Sequence, residues 1–158
     1  LMIIGQAPGT KVHESGVPWD DASGKRLRHW LEMDADQFYD DSCVAIVPMG
    51  FCYPGVDGKG GDKPPRPECA PAWHDPLTEH LVNVSLTLLV GSYAQKYYLG
   101  RDMQRTMSET VANWRDYLPS RLPLPHPSWR NTAWLKGHPW FGSELVPELR
   151  RRVRRLIG

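Results

Sequence analysis

Short apolar runs alternate along this chain with longer stretches of helical spacing. Leu1-Met2-Ile3-Ile4, Cys43 to Met49, Leu86-Thr87-Leu88-Leu89-Val90 and Arg121-Leu122-Pro123-Leu124-Pro125 read as four strands. Runs this continuous fit strands covered on both faces, as in a parallel sheet. Leu27, Trp30 and Leu31 recur at i, i+3 and i+4, the period of a helix with one buried side, and Ser23 is its expected N-cap. Ser92 to Leu99 reads as a helix stopped by Gly100. Thr106 and Glu109 have capping-box spacing around Met107, Val111, Trp114 and Leu118. The last helix is expected from about Phe141 to Ile157.

Between these elements, Lys11 to Pro18 reads as a loop. The segment from Phe51 to Pro76 contains Gly58-Lys59-Gly60-Gly61 and Pro64-Pro65-Arg66-Pro67, a composition that argues against regular elements, with a short helix expected only from Pro76 to Leu81. A loop of that length inside a compact domain is usually functional or clamped by something. The alternation of strands and helices predicts an α/β fold, a three-layer α/β/α sandwich around a central four-stranded parallel sheet. Its ligand crevice is expected at the carboxyl ends of the strands. With 158 residues, one domain spanning 1–158 is expected.

Composition narrows the function classes only slightly. Nineteen Lys and Arg face 18 Asp and Glu, so the net charge of +1 does not announce a polyanion partner. Arg150, Arg151, Arg152, Arg154 and Arg155 crowd the end of the chain, where basic residues complement a helix dipole without any ligand. No apolar run approaches the ~20 residues of a membrane span and no signal-type segment opens the chain. The expectation is a soluble, cytoplasmic monomer whose natural N-terminus, upstream of Leu1, has been trimmed or omitted.

Candidate chemistry gathers at the strand exits. The first strand runs into Gly5-Gln6-Ala7-Pro8-Gly9, where two glycines and a proline favour a tight turn that presents bare N–H groups to an anion or a base edge. A plain chain reversal would use the same residues. The last strand delivers His126-Pro127-Ser128-Trp129-Arg130-Asn131 to the same edge of the sheet.

These residues carry a resemblance. Gly5-Gln6-Ala7-Pro8-Gly9, the Gly16-Val17-Pro18-Trp19 that follows, and His126-Pro127-Ser128 resemble the two signature motifs and the stacking aromatic of the uracil-DNA glycosylase superfamily. The first motif is most similar to the family-four type, Gly-Glu-Ala-Pro-Gly, and the resemblance extends over nearly the whole chain. It implies a DNA-repair enzyme that flips uracil or a related deaminated base out of DNA and hydrolyses its N-glycosidic bond, with no cofactor in the chemical step. Such a reaction needs a donor for the anion that develops on the leaving base and a positioned water. His126 is the implied donor to the base O2, and Trp19 the implied stacking surface, the plain alternatives being a histidine that merely satisfies a carbonyl and a core tryptophan.

The acid is less sharply indicated. Where family-one members carry an Asp in the first motif this chain has Ala7, and Asp21 is similar to a family-five acid before a Ser-Gly helix start, with Asp20 the alternative. Either residue would also serve as plain N-terminal charge on the helix. Ser128, Trp129, Arg130 and Asn131 occupy the position of the family's DNA-inserting loop, with Trp129 the implied wedge and Arg130 the implied phosphate contact, while Asn131 would also serve as a plain turn cap. Packing against the C-terminal helix would account for Trp129 as well.

One departure concerns base reading. Pro48 stands where the family commonly has an Asn, which leaves backbone groups of Met49, Gly50 and Phe51 to read the base, or leaves selectivity relaxed. Cys52 and Cys69, 17 residues apart, resemble the second ligand pair of a family-four iron–sulfur cluster. A cluster needs four thiolates, so it would require cysteines upstream of this chain. Cys69 with His74 as a zinc pair is the other metal option, and free thiols the plain one. No Lys stands in either motif to form a Schiff base, so lyase activity is not expected. Two contrasting readings are a catalytically silent DNA-binding relative and a nucleotide-phosphate-binding hydrolase.

Overall fold

A computed structural model describes residues 1–158. Four strands, β1 (Met2–Ile4), β2 (Ala45–Ile46), β3 (Thr87–Val90) and β4 (Arg121–Leu124), form one sheet in the order β2-β1-β3-β4 with every pair parallel. Pro123 falls on β4, an edge strand, where a missing N–H is tolerated. The remaining elements are helices α1 (Thr10–Ser15), α2 (Ala22–Leu31), α3 (Ala35–Phe38), α4 (Cys69–Thr78), α5 (Ser92–Leu99), α6 (Met107–Ala112), α7 (Thr132–Gly137) and α8 (Val146–Ile157), with short 3-10 turns and one π turn at Phe141–Leu145.

Alternate strand residues divide between two cores, because successive side chains of a strand point to opposite faces. Ile3, Leu88, Val90, Leu122 and Leu124 pack with Leu27, Val111, Leu149 and Val153 of α2, α6 and α8. Met2, Ile4 and Leu89 pack on the other face with Ala70 of α4 and Ala94 and Leu99 of α5. Burial on both faces explains the unbroken apolar runs, and the expected three-layer α/β/α sandwich is what forms. No helix is long and apolar enough to cross a membrane.

Several elements depart from their sequence-based expectations. The 11–18 segment contains α1, a helix with no buried residue and therefore no apolar period to announce it. Asp21, not Ser23, caps α2: its Oδ1 accepts the Gly24 N–H at 2.8 Å from an extended backbone. The strand expected over Cys43–Met49 narrows to two residues, and Cys43 is half-buried in a turn before it. Inside the Pro-rich segment α4 begins at Cys69, well before the short helix expected from Pro76. Thr106 does cap α6, accepting the Glu109 N–H at 3.1 Å, but that helix stops at Ala112 and a 3-10 turn carries Trp114.

Strands β2 and β3 lie on opposite sides of β1, so the chain reverses its winding direction there. Such a switch point opens a crevice at the carboxyl ends of the strands. The turn after β1, Gly91 after β3 and His126 after β4 all lie at that edge.

Candidate active site

The crevice is a cleft of about 870 Å³ lined by the whole Gly5–Gly9 turn together with Trp19, Asp21, Pro48, Phe51, Asp62, His126 and Arg130. Residues more than a hundred positions apart meet there. The Trp19 and His126 rings lie 5.7 Å apart, inclined by 30°.

Trp19 is seated by glycines. Its backbone is left-handed, φ 59°, a conformation few large side chains adopt. A Cβ on Gly5 would come within 2.7 Å of the indole, and a Cβ on Gly24 within 1.7 Å of the Trp19 carbonyl oxygen. Both glycines are thus demanded by close approach to this one residue.

His126 is fixed in orientation and in tautomer. The Ser128 N–H donates to its Nδ1 at 3.2 Å, and the Asn131 side-chain amide donates to its carbonyl at 2.7 Å. An accepting Nδ1 leaves the proton of a neutral imidazole on Nε2, which can then donate. Burial holds the His126 pKa below the ordinary imidazole value, outweighing the opposing charges of Asp21 and Asp62.

The C-terminal loop divides its labour. Ser128 and Asn131 hold His126, and the Arg26 guanidinium donates to the Ser128 carbonyl at 3.1 Å. Trp129 is 74% exposed and does not pack against the C-terminal helix. Arg130 lies over its ring at 5.6 Å and also lines the cleft.

Three sequence-based expectations fail here. Asp20 is exposed and does not line the cleft, whereas Asp21 does. Met49 and Gly50 are buried outside the cleft, and their N–H groups bond to the carbonyls of Gly5 and Gln6, each at 2.9 Å. The Phe51 N–H donates to Cys69 Sγ at 3.4 Å. Backbone donors at 49–51 are therefore all engaged in continuing the β1–β2 ladder or anchoring α4. Those of Gln6 and Ala7 have no protein acceptor.

The zinc pair fails as well. His74, 1% exposed, donates from Nε2 to the Pro48 carbonyl at 2.9 Å and accepts at Nδ1 from the Tyr98 hydroxyl at 2.7 Å. Burial pushes the Tyr98 pKa up to about 12, which keeps that hydroxyl protonated. Neither ring nitrogen has a lone pair left for a metal. The cysteines of this chain do not fit an iron–sulfur cluster either. Cys43 lies at the amino end of the sheet, its carbonyl bonded to the Leu1 amino group, far from the Cys52–Cys69 region beyond the carboxyl end of β2.

Two features lay outside the sequence-based expectations. Asp62 and Lys63 enter the cleft from the Pro-rich segment, and α1 borders it, with His13 stacked on Tyr53 at 4.8 Å and Thr10 bonded to the Tyr53 hydroxyl at 3.0 Å. The Asp57–Gly61 stretch is rich in turn residues, a signal for the reversal that presents Asp62.

His126 and Trp19 thus meet over the Gly5–Gly9 turn at the carboxyl ends of a parallel α/β sheet. The chain belongs to the uracil DNA glycosylase superfamily, which it matches over residues 1–150. Glycosylases of this superfamily act on DNA and need no cofactor for bond cleavage.

Proposed function

We propose that the chain is a single-domain, monofunctional glycosylase that extrudes uracil, or a related deaminated base, from DNA and hydrolyses its N-glycosidic bond. The observation that supports this best is the meeting of Trp19 and His126, ring centroids 5.7 Å apart, in the cleft formed by the first turn. The extruded pyrimidine stacks on Trp19, and His126 Nε2–H donates to its O2 as negative charge develops. The free N–H groups of Gln6 and Ala7 receive the base edge in place of the side-chain amide that Pro48 lacks. Asp21, anchored at the start of α2, sets a negative charge beside the cationic sugar. Trp129 fills the gap left in the base stack, and Arg130 holds a phosphate. The protein acts as a monomer on DNA inside the cell.

Incubating the protein with uracil-containing duplex or single-stranded DNA, then with alkali, tests this reading. Strand breaks at uracil support it. Binding without breaks would instead mark a silent DNA-binding relative, a reading favoured by Ala7 in the first turn.

The neutral His126 sets a pH expectation. Its midpoint lies below the ordinary 6.5, so the neutral form, whose Nδ1 accepts the Ser128 N–H that orients the ring, persists as pH falls through that value. Single-turnover excision at pH 6.5 should stay within about twofold of that at pH 7.5. A fall centred at or above pH 6.5 would mean that the working imidazole is an ordinary one.

Arg130→Ala should weaken DNA binding about equally for all sequences and reduce the slope of log K against log salt by about 1. Titrations at several salt concentrations give that slope. An unchanged slope removes Arg130 from the phosphate contacts.

A further inference from the structure

The first turn carries no ionisable side chain, and the only carboxylates lining the cleft are Asp21 and Asp62. We propose that Asp62 is a catalytic residue of this site, orienting the hydrolytic water and accepting its proton. The proposal rests on the glycosylase reading above.

Asp62 is delivered by a small built element. Val56 and Asp62 form an antiparallel bridge, the Asp57 N–H donates to the Gly61 carbonyl at 2.7 Å, and the Lys63 N–H to the Gly55 carbonyl at 2.9 Å. The Asp57 carboxylate locks the turn from inside, accepting the N–H groups of Lys59 at 2.8 Å and Gly61 at 2.9 Å. This hairpin lays the Asp62 carboxylate over the first turn, with Oδ2 3.3 Å from where a Cβ on Gly9 would stand. A side chain at position 9 would push it away.

The two cleft carboxylates differ in freedom. Asp21 has one oxygen bound to the first turn of α2. Asp62 is exposed and has no protein donor, so both its oxygens are available to a water. Its charge reaches His126, where it opposes the effect of burial. Base donor and water acceptor therefore share one cleft.

The step balances. The C1′–N bond breaks and its electron pair leaves with the base, stabilised at O2 by the His126 Nε2–H. The water oxygen bonds to C1′, its proton passes to the Asp62 carboxylate, and the departed base anion takes a proton from solvent.

Single-turnover excision with the full chain at saturating protein tests the assignment. Asp62→Asn should excise about a hundredfold more slowly, with affinity for DNA carrying an uncleavable uracil nucleotide unchanged within about twofold. Asp62→Ala should recover part of its rate with added formate but not with chloride at equal ionic strength, a rescue that a merely structural role would not show. Wild-type rate in Asp62→Asn overturns the proposal, and so does a slowed Asp62→Ala that formate does not restore. If His126→Ala abolishes excision while Asp62→Asn does not, the glycosylase reading stands and Asp62 alone falls. No excision by the wild-type chain removes both.

Discussion

His126→Ala should lower single-turnover excision of uracil by about 10²–10³-fold, the usual cost of deleting one donor to a developing oxyanion. Affinity for the same DNA should change little, because the imidazole acts on charge that appears only as the bond breaks. The geometry makes this residue hard to replace. Its Nδ1 is occupied by the Ser128 N–H and its backbone by Asn131, so Nε2 is the one donor left to face the base. Asn131→Ala removes the clamp without removing the ring and should give a smaller loss in the same direction. Alkali-dependent strand breakage measures both variants, and an undiminished rate in His126→Ala would show that another group carries the leaving base.

Gly24→Ala should be the most disruptive Gly→Ala change in the chain. A Cβ there would stand 1.7 Å from the Trp19 carbonyl oxygen and 2.6 Å from its carbonyl carbon, both backbone atoms that no rotamer change can move. Either α2 or the left-handed turn at Trp19 must shift, at a cost of about 3 kcal/mol. For a chain of this size that lowers Tm by roughly 6–12 °C, and excision should fall with it because Trp19 leaves its place opposite His126. Thermal unfolding followed by circular dichroism gives the first number. A Tm within about 2 °C of wild type would mean that the contact is easily relieved and that the glycine is not required there.

The parts that were legible in the sequence are those written in local chemistry. Buried parallel strands announce themselves as unbroken apolar runs, and the glycines and prolines around positions 5–9 and 125–127 mark the turns that end them. Those signals were enough to bring Trp19, His126 and the first turn to one edge of the sheet. The misses lie where local pattern carries no signal or where tertiary contacts decide the outcome. Helix α1 buries nothing, so no periodicity betrays it. Helix α4 includes Pro71 in its first turn, where no N–H is needed, and tolerates Pro76 because its packing, not propensity, sustains it. The donors of Met49, Gly50 and Phe51 looked available until the β1–β2 ladder and Cys69 engaged them. Asp62 sits in a stretch that reads as formless, and only the hairpin from Gly55 to Lys63 reveals that it faces the first turn.

One extruded pyrimidine is expected to lie on the Trp19 face, within reach of His126 and over the turn at Gly5–Gly9. A crystal structure with DNA containing 2′-fluoro-deoxyuridine, whose glycosidic bond resists hydrolysis, tests it directly. An extruded uracil should lie on the Trp19 face with its O2 about 2.9 Å from His126 Nε2. A base left in the helix stack, or held elsewhere on the surface with the cleft open to solvent, would contradict it.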